Sequence, residues 1–220
     1  SVVSHELKTP LTAIKGFAQL LNKQADKAGL PPPMRHALAL IDEQTNRMVD
    51  LVNELLDVSR IQIDQLRLVR SRVDAVALAR RVVEQMGSIS DFHELRLEAP
   101  DEEVAGLWDG PRLERVLANL LENAIRYQPQ GGTVNLTLAR DGGRLHVEVR
   151  DHGVGIEPHA IPRLFERFYR ASGPLNHQVA GLGLGLYIAA EVVRKHGGEL
   201  KVSSKPGEGS RFWFDLPLEA

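Results

Sequence analysis

The sequence predicts two architectures in succession: an α-helical hairpin forming a dimeric four-helix bundle, followed by an α+β two-layer sandwich. Apolar residues before Gln65 recur at steps of three and four in two runs separated by a Gly/Pro turn. Beyond Gln65, amphipathic helical segments are interspersed with short runs of period two. A lone pair of helices leaves its apolar stripe uncovered, so the first unit calls for a second copy.

From Val3, the residues Leu7, Leu11, Ile14, Ala18 and Leu21 lie along one face of a helix. Gly29-Leu30-Pro31-Pro32-Pro33 ends it. A second seam of Met34, Leu38, Ile41, Thr45, Met48, Val52 and Leu55 is a near-heptad repeat interrupted by one small polar residue. Ala37, Leu40, Leu51 and Val58 widen that stripe, which favours a homodimer over the alternative of a cap on the next domain. The boundary is expected near Leu68, giving domains 1–68 and 69–220.

Leu66 to Arg72 reads as a linker or short strand, and Asp74 can cap a helix over Val76, Leu78, Ala79, Val82, Val83 and Met86. Glu94 to Glu98 alternates as a strand does. Asp109 and Pro111 mark a helix start ahead of Leu113, Val116, Leu117, Leu120, Leu121, Ala124 and Ile125. Strands are expected over Thr133–Ala139 and Arg144–Arg150, joined through Asp141-Gly142-Gly143. A helix over Leu184–His196 precedes strands Glu199–Ser204 and Ser210–Leu216, which flank Pro206-Gly207-Glu208-Gly209. The expected sheet is antiparallel, with helices on one face.

The 27 basic and 29 acidic side chains leave a formal charge of -2, which gives no support to nucleic-acid wrapping. No cysteine is present, which removes disulfides, thiolate nucleophiles and cysteine metal sites. No apolar run approaches the roughly 18 residues of a membrane span, so direct membrane insertion is not expected and a cytoplasmic setting is allowed. The chain opens on Ser1 rather than methionine, from which an upstream sensory or linker domain is expected.

Five residue clusters carry chemistry. His5 has Glu6 beside it and Thr9 one turn on, and an imidazole next to a carboxylate can lose a proton at one nitrogen while the other attacks an electrophile. Pro10 lacks the amide hydrogen that would bond the Glu6 carbonyl and so loosens the helix there. Taken alone, a His-Glu pair is also what an ordinary solvated surface carries.

Asn119 and Asn123 lie one helical turn apart, where aligned amides can hold a hard cation with phosphate oxygens or satisfy a neighbouring loop; Arg126 can add positive charge. Asp151-His152-Gly153-Val154-Gly155 ends a strand, where a buried carboxylate can accept from an amino group such as that of adenine, or the run can be only a turn. Gly181-Leu182-Gly183-Leu184-Gly185-Leu186 exposes amides before a helix start suited to phosphates, without the Lys-Ser/Thr ending of a P-loop. Phe165 to Arg170 combines aromatic anchors with cations ahead of a loop-like Ala171–Ala180 stretch, readable as a hinged lid or as core anchoring with a surface loop.

In order and spacing, these residues resemble the catalytic core of bacterial two-component sensor histidine kinases. Ser4 to Leu11 is similar to the phosphoacceptor box and Asn119 to Tyr127 to the N box; Asp151-x-Gly153-x-Gly155, Phe165-Glu166-Arg167-Phe168 and Gly181 to Leu186 are similar to the two glycine boxes and the F box between them.

The resemblance implies a dimerisation and histidine-phosphotransfer hairpin followed by an ATP-binding sandwich of the GHKL (Bergerat) type. It implies that His5 attacks the γ-phosphorus of ATP with Glu6 as general base, that Asn123 ligates Mg2+ with Asn119 organising the region, and that Asp151 reads adenine. Arg126, Tyr127, Gly153, Gly155, Gly181, Gly183, Gly185 and Leu186 fall in the nucleotide boxes. Arg126 stands where lysine is common, Leu182 where a small hydroxyl residue is frequent, and Ala180 replaces a glycine.

The implied partner is a response-regulator receiver domain, whose aspartate takes the phosphoryl group, with Thr9 at the position tied to phosphatase action. The parent protein could then be anchored in the bacterial inner membrane. The alternative is a regulatory ATP-binding module with mainly phosphatase or dimeric scaffolding function.

Overall fold

The computed structural model describes residues 14–17, 20–21, 31–62, 66–87, 92–171 and 182–218. The chain divides into two units, Ser1–Leu66 and Arg67–Ala220.

In the first unit, residues 14–17 and 20–21 are helical, and helix α1 runs over Pro32–Gln62. Prolines suit the first turn because the amide hydrogens they lack have no helical acceptor there. The Pro31 carbonyl accepts the Met34 and Arg35 amides at 2.9 and 3.2 Å, and Arg60 complements the dipole in the last turn. The polar break in the heptad seam, Thr45, is buried, and its Oγ1 donates to the Ile41 carbonyl at 2.7 Å. Met34, Ile41, Met48 and Leu55, spaced by seven, are all exposed, while Leu38 and Val52 are half-buried. Among the described residues, no helix is long and apolar enough to cross a membrane.

The second unit starts with strand β1 (Ser71–Asp74), which pairs antiparallel with β3 (Ala105–Trp108). Asp74 caps helix α2 (Ala75–Met86) by accepting the Val76 amide at 3.0 Å. Helix α3 (Gly110–Arg126) is capped by Asp109 and carries Pro111 in its first turn, and helix α4 spans Gly185–Lys195. Strands β2 (His93–Glu98), β4 (Gly132–Asp141), β5 (Arg144–Arg150), β6 (Lys201–Lys205) and β7 (Gly209–Pro217) form one sheet in the order β2-β4-β5-β7-β6.

One face of this sheet is buried through Val134, Leu136 and Leu138 on β4, Leu145, Val147 and Val149 on β5, and Phe212, Phe214 and Leu216 on β7. The alternate residues, among them Thr137, Glu148 and Trp213, are half-buried on the other face. Each helix supplies a matching apolar stripe, including Leu113, Leu117, Leu120 and Leu121 on α3 and Ile188, Ala189, Val192 and Val193 on α4. The arrangement is the expected α+β layering.

Two features depart from the sequence expectation. The β2–β4 pair is parallel, with Leu95 opposite Val134, so the sheet is mixed. The second departure is β3, where no strand is expected. Trp108 is buried and covers Gly106, where a Cβ would lie 2.4 Å from the ring, and its Nε1 donates to the Pro217 carbonyl at 2.9 Å. A short strand built around a glycine and a folded-back indole has no period-two signature to detect.

Candidate functional site

Helix α3 presents Asn119 and Asn123 on one half-buried face, one turn apart. Asn123 Nδ2 donates to Asn119 Oδ1 at 3.3 Å, which turns the Asn123 Oδ1 the other way as an acceptor. Helix α4 begins against this pair: a Cβ at Gly185 would lie 2.1 Å from Asn119 Nδ2, so any larger residue there would push the Asn119 amide out of its present place. Leu184, the residue before α4, makes no side-chain cap, which leaves the first amides of that helix suited to an anion. Leu186 is half-buried in the same turn.

The third part of the site follows β5. Asp151 is 5% exposed, and its Oδ1 accepts the Gly153 amide at 2.8 Å and the Ser210 amide at 3.2 Å. Burial pushes the Asp151 carboxyl up from its ordinary range, with those two backbone bonds pulling the other way. A buried carboxylate with one oxygen occupied by amides can direct the other at an amino group.

Tyr127, the C-cap of α3, joins this loop to the asparagine helix: its amide bonds the Asn123 carbonyl and its own carbonyl accepts the Val154 amide at 3.0 Å. A Cβ at Gly153 would lie 2.1 Å from that same Tyr127 carbonyl, and one at Gly155 (φ +70°) would lie 2.1 Å from the Lys205 carbonyl. At both glycines the protein's own carbonyls occupy the space a side chain would need.

The structure therefore brings together Asn119, Asn123, Tyr127, Asp151, Gly153, Gly155, Gly183, Gly185 and Leu186 along the C-terminal half of α3, the start of α4 and the loop after β5. Arg126 is exposed on the last turn of α3. His5, Glu6, Thr9 and Gly181, together with the expected lid residues 172–180, lie outside the described residues.

The aromatic stretch differs from the expected packed anchor. Phe168 is 58% exposed and sits at φ +62°, a left-handed conformation uncommon for a bulky residue. Its amide bonds the Gly183 carbonyl at 3.0 Å, so the backbone rather than the ring ties this stretch to the glycines before α4. Tyr169 is the better anchored ring, with the Arg163 guanidinium 4.3 Å from its centroid.

Sequence reasoning misses Gln128. It is 3% exposed and bonds three separate segments through its side chain and carbonyl, but one glutamine beyond a helix end carries no periodic or spacing signal.

Among the described residues, no group of three or more His, Asp or Glu could hold a metal. An amide oxygen at Asn123, completed by phosphate oxygens and water, fits a hard cation such as Mg2+ that keeps most of its ligands from substrate and solvent.

Comparison with known proteins agrees with this geometry. Residues 108–220 match the family described as histidine kinase-, DNA gyrase B-, and HSP90-like ATPase, and residues 1–63 match the His kinase A (phospho-acceptor) domain. The chain is 35% identical over 219 residues to the alginate biosynthesis sensor protein KinB of Pseudomonas aeruginosa, a match that covers 98% of this chain and 36% of that protein. It is 36% identical over 217 residues to the sensor-like histidine kinase SenX3 of Mycobacterium tuberculosis (strain H37Rv), covering 98% of this chain and 52% of the relative.

Among solved structures, full-length ShkA in complex with AMPPNP matches with a TM-score of 0.77 and 31% identity, over 98% of this chain and 44% of that one. The mycobacterial sensor histidine kinase MprB matches at 0.59 and 31%, over 68% of this chain and 97% of that one. The chain thus spans about a third to a half of the curated relatives it matches. The two family matches together take in most of the chain, and KinB, SenX3 and ShkA align over both: the chain belongs to the histidine kinase-, DNA gyrase B-, and HSP90-like ATPase family, as the catalytic core of a bacterial sensor histidine kinase.

Proposed function

We propose that this chain is an ATP-dependent protein-histidine kinase that phosphorylates its own His5 and passes the phosphoryl group to an aspartate of a response-regulator receiver domain. The observation that carries the reading is the convergence of a buried Asp151 carboxylate, the Asn119–Asn123 amide pair and the uncapped start of α4 in one unit. These three groups match the three parts of a nucleoside triphosphate: base, metal-phosphate region and terminal phosphates.

In this reading, Asp151 accepts the adenine amino group, the backbone amides around Gly181, Gly183 and Gly185 receive phosphate oxygens, Leu186 packs beside them, and Arg126 adds positive charge. Mg2+ bound with the nucleotide supplies charge neutralisation on the phosphates; Asn123 Oδ1 would hold it, with Asn119 organising the neighbouring groups. The lone pair of one His5 ring nitrogen attacks the γ-phosphorus as the bond to the β–γ bridging oxygen breaks, and the electron pair leaves with ADP. Glu6 takes the proton from the other ring nitrogen. A receiver aspartate then attacks the phosphorus and the phosphorus–nitrogen bond breaks. Thr9 would orient water in the reverse, phosphatase direction.

The domains are assigned as 1–68 for dimerisation and phosphotransfer and 69–220 for ATP binding. The homodimer is supported by the exposed line of Met34, Ile41, Met48 and Leu55, which repeats every seven residues as a coiled-coil seam does. An upstream sensory part and a membrane anchor belong to the parent protein in this reading, with the catalytic core in the cytoplasm.

The test is transfer of label from γ-labelled ATP with Mg2+ to the purified chain, alongside His5→Ala and Asn123→Ala. Acid-labile, alkali-stable label that is lost in both variants is expected. Measurable ATP binding without any label in the dimer would overturn the kinase assignment in favour of a phosphatase or scaffolding module.

A further inference from the structure

Gln128 follows the C-cap of α3 and uses both ends of its side-chain amide. Oε1 accepts the His152 amide at 2.9 Å, and Nε2 donates to the Gly131 carbonyl at 2.8 Å. Its main-chain carbonyl accepts His93 Nε2 at 2.8 Å, so β2, the turn before β4 and the loop after β5 all converge on this one residue. Room for the side chain depends on Gly132, where a Cβ would lie 2.7 Å from Gln128 Nε2 at φ +118°. A buried amide with both ends matched is fixed in place, because leaving either end unpaired is costly.

His152 is joined directly to Asp151, so Gln128 grips the peptide that carries the buried carboxylate. Across the loop, the Asp151 amide donates to the Ser210 carbonyl at 2.9 Å, and the Ser210 amide donates back to Oδ1 at 3.2 Å. The carboxylate is thus held between β7 on one side and Gln128 on the other. Of the groups on the α3 side, the Tyr127 carbonyl is backbone and survives any substitution, whereas the bond to His152 depends on a side chain.

We propose that Gln128 is a positioning residue for base selection: its Oε1, acting through the His152 amide, sets where the Asp151 carboxylate lies and so the preference for a 6-aminopurine over a 6-oxopurine nucleotide. The inference rests on the adenine-reading role of Asp151 proposed above. A 6-amino group donates to that carboxylate and a 6-oxo group faces it with a lone pair, so displacement of the carboxylate weakens binding of the first and leaves the second nearly unchanged.

The test is calorimetric binding of ADP and IDP to the 220-residue chain, with folding followed by circular dichroism. In Gln128→Met the ADP dissociation constant is expected to rise about tenfold, the scale of one lost hydrogen bond to a charged group, with IDP nearly unchanged. Gln128→Asn, whose amide falls short by one methylene, should shift the same way and serves if the methionine variant does not fold. Gln128→Glu keeps an acceptor for His152 and should restore most of the adenine preference while lowering the melting temperature, because a carboxylate then faces the Gly131 carbonyl.

Asp151→Asn is the control for the underlying reading. If it collapses the ADP/IDP ratio while the folded Gln128 variants keep wild-type affinities and lose only thermal stability, Gln128 is structural and the proposal is wrong. If Asp151→Asn leaves the ratio unchanged, the base-reading role itself fails, whatever the Gln128 variants do.

Discussion

At Gly155 the backbone passes so close to Lys205 that a methyl group has nowhere to go, whereas Gly207, also left-handed at φ +79°, has open space around its missing side chain. The pair separates backbone strain from steric exclusion. Both alanine substitutions carry the left-handed penalty, but Gly155→Ala must also displace a carbonyl. It should cost about 1–3 kcal/mol more than Gly207→Ala, read as the difference in urea-unfolding free energy, as overpacked sites do. Equal losses would mean that the loop shifts freely and that the Lys205 carbonyl does not require glycine at position 155. The pattern Asp151-x-Gly153-x-Gly155 was legible in the sequence, but its local cause was not: spacing shows that small residues are needed without showing whether a ligand or a carbonyl fills the space. Gln128 was illegible for the opposite reason, since its importance comes from three partners distant in the chain or across a turn.

At the scale of elements, caps were the most readable feature. Asp74 and Asp109 both accept an amide of the helix they precede, as short polar residues at helix starts do. The extended run at β2 was also readable, but its parallel partner was not, because alternation marks a strand without its direction. What joins α3 to α4 was not readable either. The Asp109 amide donates to His196 Nε2 at 2.9 Å, which puts the imidazole proton on Nδ1, where it donates to the Val192 carbonyl at 2.8 Å. The Asp109 carboxylate also accepts the Val69 amide, and Arg70 donates to the Lys195 carbonyl, so the segment entering the second unit is fastened at this junction.

Burial lowers the His196 pKa from 6.5; the Val192 carbonyl opposes this, Arg70 and Arg112 reinforce it, and Asp109 opposes it. The unfolded chain then takes a proton that the folded chain resists, so His196 contributes stability that is present above pH 6.5 and lost as pH falls through and below that value. His196→Ala should cost about 1–3 kcal/mol at pH 7.5 by leaving the Asp109 amide unpaired. It should also flatten the fall in stability between pH 7.5 and the acid side. A variant with an unchanged pH profile in urea unfolding would place the acid sensitivity elsewhere.

For the whole molecule, the apolar period changes from helical steps to alternation after Gln65, and the structure divides into units ending at Leu66 and starting at Arg67. The same heptad pattern bears on assembly. Thr45 is buried and Leu38 and Val52 half-buried in the single chain, while Met34, Ile41, Met48 and Leu55 are each at least 45% exposed and form a second apolar line. Light scattering should give twice the 24.4 kDa chain mass, and Ile41→Glu with Met48→Glu should give one chain mass with the second unit still folded. An unchanged mass in that double variant would remove the seam from the interface.

Dimer, nucleotide site and acceptor histidine meet in one chemical outcome, a phosphoryl group on a single ring nitrogen. The most direct measurement is mass spectrometry of the chain after incubation with ATP and Mg2+, digested and kept at alkaline pH so that phosphohistidine survives. The account predicts one added phosphoryl group on the peptide containing His5, removed by brief acid treatment and absent from Asn123→Ala. A phosphoryl group on any other residue, or none on His5 in a dimer that binds ATP, would contradict it.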